Sequence, residues 1–270
     1  MHNYKFSKFY FYLTLILTII FITSCGGGGD SSDTPKTNAC GVLGLNTRII
    51  NGTDCSDSFR SPIVRIFVED QGQRVAFCTG TMLSNNKVLT AAHCVTRNMR
   101  NFGIFIENDD TVLEIVQGTS FKAHPQFGVI GGIPVNDVAI MTLNRGVGLP
   151  TMPIYTSANI EKGDIFSIFG YGTDDTGDIS SFLRSGEMKI EEVTPNNILA
   201  LFKGEGSNTC TGDSGGPALL TRNNQTGLIG ATSSGQNVDC QPDDISNFIN
   251  LQSSVVLDFI RQEVPGLRLI

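Results

Sequence analysis

The hydroxyl of Ser214 lies in Gly212-Asp213-Ser214-Gly215-Gly216-Pro217, among glycines that let the backbone turn its N–H groups toward one point. That setting suits the nucleophile of an acyl transfer, which needs a base for its proton and N–H donors aimed at the oxygen where charge develops. The hexapeptide can supply the donors, so the base must come from elsewhere. The chain has three histidines, His2, His93 and His124. His2 falls in a leading segment expected to be removed. His93 follows Val88-Leu89-Thr90-Ala91-Ala92, the pattern of a short buried strand ending in a tight helical turn that holds the ring still. His124 precedes Pro125, which favours an extended loop, and reads as a surface residue. A carboxylate that orients an imidazole has to be shielded from water and hydrogen-bonded. Asp137, at the head of an apolar run over 138–143, fits, although an Asp in such a place is by itself more often a turn residue.

Taken together, Thr90-Ala91-Ala92-His93-Cys94, Asn136-Asp137-Val138-Ala139-Ile140 and Gly212-Asp213-Ser214-Gly215-Gly216-Pro217 resemble the His, Asp and Ser motifs of the chymotrypsin/trypsin-like serine proteases, in that family's order. Arg48-Ile49-Ile50-Asn51-Gly52 resembles the family's activation cleavage site, and Gly170-Tyr171-Gly172 stands where Gly-Trp-Gly is usual. The resemblance covers residues 49–270. It implies an all-β fold of two packed six-stranded antiparallel β-barrels with a C-terminal α-helix, and a serine endopeptidase acting on proteins or peptides without a cofactor. It also implies roles: Ser214 as nucleophile, His93 as general base and then acid, Asp137 as the group that fixes the imidazole tautomer. Gly212 and Ser214 then supply the oxyanion-hole N–H groups. After cleavage behind Arg48, the new amine of Ile49 is expected to pair with Asp213, so that the uncut chain is a weakly active zymogen.

The N-terminus carries a separate message. Lys5 and Lys8 precede an uncharged run over 9–22, the layout of a secretory signal peptide and short for a membrane span of about 20 residues. Ile22-Thr23-Ser24-Cys25 resembles a bacterial lipobox, which implies a signal peptide over 1–24 and a lipidated Cys25 that anchors the chain to the cell envelope, with the outer membrane favoured; ordinary cleavage nearby, giving a secreted chain, is the alternative. Glycines 26–29 and the polar stretch 30–38 read as a tether, and 25–48 as tether and propeptide ahead of a protease domain over 49–270. Seven cysteines in an exported chain leave one odd thiol, which lipidation of Cys25 removes. The resemblance pairs Cys78 with Cys94 and Cys210 with Cys240, leaving Cys40 and Cys55 for each other. Cys55 falls where the family has a cysteine whose usual partner is missing, and Ser185 occupies the partner's place.

The resemblance also bears on substrate choice. Asn208, six residues before the serine, stands at the base of the primary pocket, where enzymes that cut after lysine or arginine carry an aspartate. Ser233, Ser234 and Gly235 align with the strand that pairs with the substrate backbone, and Ser246 with a glycine of the pocket wall. These residues imply a preference away from lysine and arginine. The chain has no tryptophan, and Ser234 replaces a common aromatic wall for upstream residues.

Strand patterns run over 63–68, 75–83, 112–116, 139–143, 165–169, 188–193, 218–220 and 228–231, separated by Gly and Pro. Only Val255, Val256, Phe259 and Ile260 repeat at helical spacing, after Ser253 and Ser254, which can cap; the helix is expected to dock on the second barrel. The net charge of −7, with no basic patch interleaved with aromatics, argues against nucleic acid. No HExxH, paired CxxC or calcium-loop pattern provides metal ligands; Asn108-Asp109-Asp110 reads as a solvated turn. The expected state is a monomer. A catalytically silent adhesin on the same scaffold is the competing reading, and a strand-to-helix ester-hydrolase elbow is opposed by Pro217 and the apolar strand pattern behind it.

Overall fold

The computed structural model describes residues 39–45, 54–70, 73–94, 101–173, 178–202, 207–236, 240 and 243–270. The expectations for Cys25, Arg48 and Ile49 fall outside these residues.

The first half forms strands β1 (Ile63–Asp70), β2 (Gln73–Ser84), β3 (Lys87–Thr90), β4 (Asn101–Asn108), β5 (Thr111–Ala123) and, after the small hairpin β6 (Gly128–Ile130) and β7 (Ile133–Val135), β8 (Ala139–Leu143). The second half forms β9 (Ile165–Gly170), β10 (Arg184–Val193), β11 (Asn197–Leu201), β12 (Pro217–Arg222), β13 (Gln225–Gly235) and β14 (Ile245–Asn250). Each half closes into a six-stranded antiparallel barrel, in the orders β1-β2-β3-β8-β5-β4 and β10-β11-β14-β13-β12-β9. The expected architecture is thus present.

Side chains alternate across a strand, and here both faces of several strands are dry. Val88 of β3 and Met141 of β8 point into the first barrel, while Leu89 and Ile140 join a cluster that also holds Phe169, Leu219 and Leu228 of the second half. Ala218 and Leu220 of β12 fill the second barrel and Leu219 faces the seam. Burial on both faces is why these strands read as unbroken apolar runs. Strand β14 escaped the sequence reading because its buried residues Ser246, Asn247 and Asn250 are polar. Tertiary partners satisfy them: the Asn197 amide donates to Asn247 Oδ1 at 2.9 Å, and Asn250 Nδ2 donates to the Thr194 carbonyl at 3.0 Å.

Two expectations need correction. Helix α2 (Ser254–Glu263) buries Val256, Leu257, Phe259 and Ile260, whereas Val255 is exposed, and Ser253 makes no side-chain cap. The helix also reaches the first barrel: Phe259 meets the His124 ring edge-on at 4.9 Å, and Glu263 pairs with Lys122 of β5. His124 is therefore a buried buttress. Its Nδ1 accepts the Gln126 N–H at 3.1 Å, and Nε2 lies 3.3 Å from the Val255 carbonyl. Helix and histidine are distant in sequence, so nothing local could disclose the contact. Residues 39–45, ahead of the first barrel, are packed as well: the turn α1 (Ala39–Val42) buries Ala39 and Cys40, and Leu45 is also buried.

All three expected cysteine pairs are bonded: Cys40–Cys55, Cys78–Cys94 and Cys210–Cys240. The Ser185 hydroxyl lies 3.1 Å from Cys40 Sγ, so Cys40 approaches Cys55 from the side where Ser185 stands.

Candidate active site

Strand β3 ends at Thr90 opposite Ala139, the first residue of β8. A single 3-10 turn, Ala92–Cys94, follows β3, and the Cys78–Cys94 bridge ties it to β2. Asn136, in a left-handed conformation (φ 53°), turns the chain just ahead of β8. These elements bring His93, just past β3, and Asp137, just ahead of β8, together at the same end of this antiparallel strand pair. Asp137 Oδ1 accepts the backbone N–H of His93 at 2.8 Å, and Oδ2 lies 2.7 Å from His93 Nδ1. A carboxylate in this position accepts, which makes Nδ1 the donor of the pair and, in the neutral imidazole, leaves Nε2 as the acceptor. The Ser233 hydroxyl also donates to Oδ2, at 2.6 Å. Asp137 is closed off from solvent, while the imidazole side chain is 38% exposed.

The serine arrives from the second barrel, between the Cys210–Cys240 bridge and β12. Its loop is pressed against the histidine turn. A Cβ on Gly215 (φ +81°) would lie 2.1 Å from Thr90 Oγ1 and 2.6 Å from the Ala91 nitrogen, which leaves glycine as the residue that fits. Gly212, at φ +101°, likewise has Gly172 Cα 2.9 Å from where its Cβ would be. Carbonyls in this loop are anchored outward. The Thr211 carbonyl accepts from the N–H and the hydroxyl of Thr173, at 2.8 and 3.0 Å, and the Asp213 carbonyl accepts from the Gly216 N–H at 2.8 Å. The N–H groups at the far ends of those two peptides are those of Gly212 and Ser214. Neither donates to any acceptor among the described residues. The Ser214 hydroxyl makes no hydrogen bond among the described residues either; in an unliganded site the nucleophile–base bond is often long and tightens on substrate.

The Asp213 carboxylate packs against two glycines. A Cβ on Gly170 would fall 2.0 Å from Asp213 Oδ1, and one on Gly172 would fall 2.5 Å from its Cγ, which is the physical reason for Gly-x-Gly at 170–172. The carboxylate accepts the N–H of Gly172 at 2.8 Å and that of Cys210 at 2.9 Å. Although the residue keeps some surface, burial of the carboxylate dominates and pushes its pKa up to about 6, against the two N–H groups and Arg184, which pull it down. Between the glycines, Tyr171 is buried, and burial raises its phenol above the ordinary range.

Around the expected specificity pocket, all four hydrogen-bonding positions of the Asn208 amide are taken. Its oxygen accepts from the Ser246 hydroxyl at 2.7 Å and the Thr209 N–H at 2.9 Å. Its nitrogen donates to the Cys240 carbonyl at 3.2 Å and to Asp244 Oδ2 at 3.3 Å. Asp244 is a buried acid that sequence reasoning missed; its other oxygen accepts the Gln236 N–H at 2.8 Å. Strand β13 continues past its last pairing with β12, at Ala231–Pro217, so Ser233, Ser234 and Gly235 have β14 on one side only. That edge offers a place for an added strand. Among the described residues no group of three or more His, Cys, Asp or Glu side chains is placed to hold a metal.

Comparison with known proteins agrees with this fold. The trypsin family profile matches residues 49–260. Trypsin of Saccharopolyspora erythraea is 30% identical over 70% of this chain and 87% of its own length, and lectizyme of Glossina austeni is 26% identical over 70% and 77%. The solved structure of HL collagenase superposes with a TM-score of 0.66 over 80% of this chain and 98% of its own, at 22% identity. The fold and its relatives are those of serine proteases. The chain belongs to the trypsin family.

Proposed function

We propose that the chain is a serine endopeptidase working through an acyl-enzyme. The observation that carries the reading is the Asp137–His93 pair, with the serine loop packed against the turn that holds His93 and its Gly212 and Ser214 N–H groups without an acceptor among the described residues. His93 Nε2 takes the Ser214 proton as Oγ attacks the scissile carbonyl, and the two N–H groups receive the oxyanion. Asp137 keeps the imidazolium oriented, and the proton passes to the leaving amine. Water then repeats the attack and frees the acid. A fluorophosphonate probe is expected to label the processed protein and not its Ser214→Ala variant; equal labelling of both would refute the assignment.

The same reading makes the chain a zymogen cut after Arg48, with the Ile49 amine seating on Asp213, and a lipoprotein anchored through Cys25. The Cys40–Cys55 bridge spans the cut, so the propeptide, and with it the anchor, stays attached to the active enzyme. Mass spectrometry of the active form should find a chain beginning at Ile49 disulfide-linked to the propeptide; a released propeptide would contradict this. Cleavage is expected away from lysine and arginine, in favour of medium-sized apolar or polar side chains. Asp244, the acid beside Asn208, is engaged by an amide whose hydrogen bonds are all in use, which supports a pocket without a free counter-charge for a substrate cation. A peptide-library profile dominated by arginine would overturn this preference.

A further inference from the structure

We propose that Thr79, on the first barrel, is the positioning residue of the oxyanion-binding loop, its hydroxyl fixing the Gly212 carbonyl across the seam between the barrels. The proposal rests on the serine endopeptidase reading above. Thr79 follows Cys78 in β2 and is fully buried. Its hydroxyl donates to the Gly212 carbonyl at 2.9 Å and accepts the Tyr171 N–H at 3.1 Å. A hydroxyl has one proton and a carbonyl can only accept, so these roles are unambiguous. The Thr79 N–H donates to the Ser214 carbonyl at 2.9 Å, and its own carbonyl accepts the Thr90 hydroxyl at 2.8 Å. One residue thus holds carbonyls on both sides of the Ser214 N–H, together with the strand that leads to His93.

The hydroxyl matters because Gly212 has no side chain to restrain it. At φ +101° it sits where glycine has wide freedom, and releasing its carbonyl lets the peptide between 212 and 213 turn, moving the donors that flank it. Loss of the hydroxyl also strands two backbone groups, the Gly212 carbonyl and the Tyr171 N–H, and the loop relieves that penalty by shifting. The methyl is engaged as well: Thr79 Cγ2 lies 3.2 Å from where a Cβ on Gly216 would be. Valine keeps that shape and removes only the hydroxyl.

The test compares Thr79→Val and Thr79→Ser with the unmutated protein in the same processed form. T79V is expected to lose about 10- to 100-fold in kcat, as small misplacements of catalytic groups do, with KM nearly unchanged. Affinity for a peptide boronate, whose tetrahedral adduct puts an oxygen in the hole, should fall by the same factor, and T79S should restore both. Unchanged kcat and boronate affinity in T79V, or an equal loss in T79S, would overturn the proposal. If T79V does not accumulate folded, Thr79→Ala replaces it. Alanine and serine both lack the methyl and only serine has the hydroxyl, so equal kcat in that pair also overturns it. Failure of a fluorophosphonate to label the unmutated protein would instead refute the endopeptidase reading itself.

Discussion

Asp137, just ahead of a strand of the first barrel, and Asp213, just ahead of a strand of the second, are the same chemical group, and their surroundings differ. Asp137 is closed to solvent and receives three donors, two from His93 and one from Ser233, across the barrel seam. Asp213 receives two backbone N–H groups, and its burial is incompletely offset, so its pKa rises to about 6. The histidine side is therefore finished in the chain as described. The serine side holds a carboxylate for which a cation would be a gain. Under the proposed activation, only the unfinished half would need to respond to cleavage.

The sharpest way to break the contrast is to remove the charge on the finished side. Asp137→Asn should lower kcat by about 10⁴-fold at neutral pH, the loss known for the equivalent exchange in this family, because the amide favours the wrong imidazole tautomer. A loss under about tenfold, measured by steady-state kinetics, would mean that Asp137 does not orient His93. On the unfinished side, Arg48→Gln should keep the chain uncut and its activity lower by about 100- to 1000-fold, the cost of one missing oxyanion donor. Full activity of that uncut variant would remove Asp213 from any switch. Ser233→Ala tests a single support of Asp137 and should cost roughly tenfold in kcat with KM little changed, in line with one hydrogen bond to a charged group.

The smallest effect concerns stability rather than rate. In the uncut chain the folded-state pKa of Asp213, about 6, lies above its ordinary value of 3.8. The folded state then binds the proton more tightly, so stability is highest below about pH 4, falls as pH rises to about 6, and is flat beyond. The proposed pairing with the Ile49 amine would lower the Asp213 pKa and raise that of the amine above its unperturbed value of about 8. The cut form should therefore gain on the uncut form as pH rises through 6, and lose that gain as pH rises through the raised amine value. The melting-temperature difference between the two forms isolates the pair, since Glu107, also raised by burial, contributes equally to both. A difference that is constant from pH 4 to 10 would show that Asp213 and Ile49 do not meet.

How much of this was legible in the chain depended on how local each signal is. The run ending at Thr90 and the one beginning at Ala139 are continuous and apolar because both faces of β3 and β8 are buried, so those strands could be read directly. The same logic hid β14, where Ser246, Asn247 and Asn250 are buried with distant partners. His124 was misread for a related reason: its neighbours say loop, and only α2, far along the chain, makes it a core residue. Ser233 was noted for its backbone, yet its hydroxyl serves Asp137 across the seam, and Asp244 and Thr79 carried no local mark at all.

By itself, the sequence determined the types and order of the groups that can react, because a hydroxyl among glycines, a histidine after a buried strand and an acid before another are written in neighbouring residues. It also settled where glycine had to stand, though not why: at 170, 172, 212 and 215 a side chain would strike atoms contributed by distant segments. Tertiary structure alone decided that Asp137 is satisfied and Asp213 is not, that the Asn208 amide is already saturated, and that the serine loop hangs from a threonine of the other barrel. Those outcomes depend on how much water is excluded and on which donors arrive from far along the chain, and neither quantity exists until the two barrels have closed on each other.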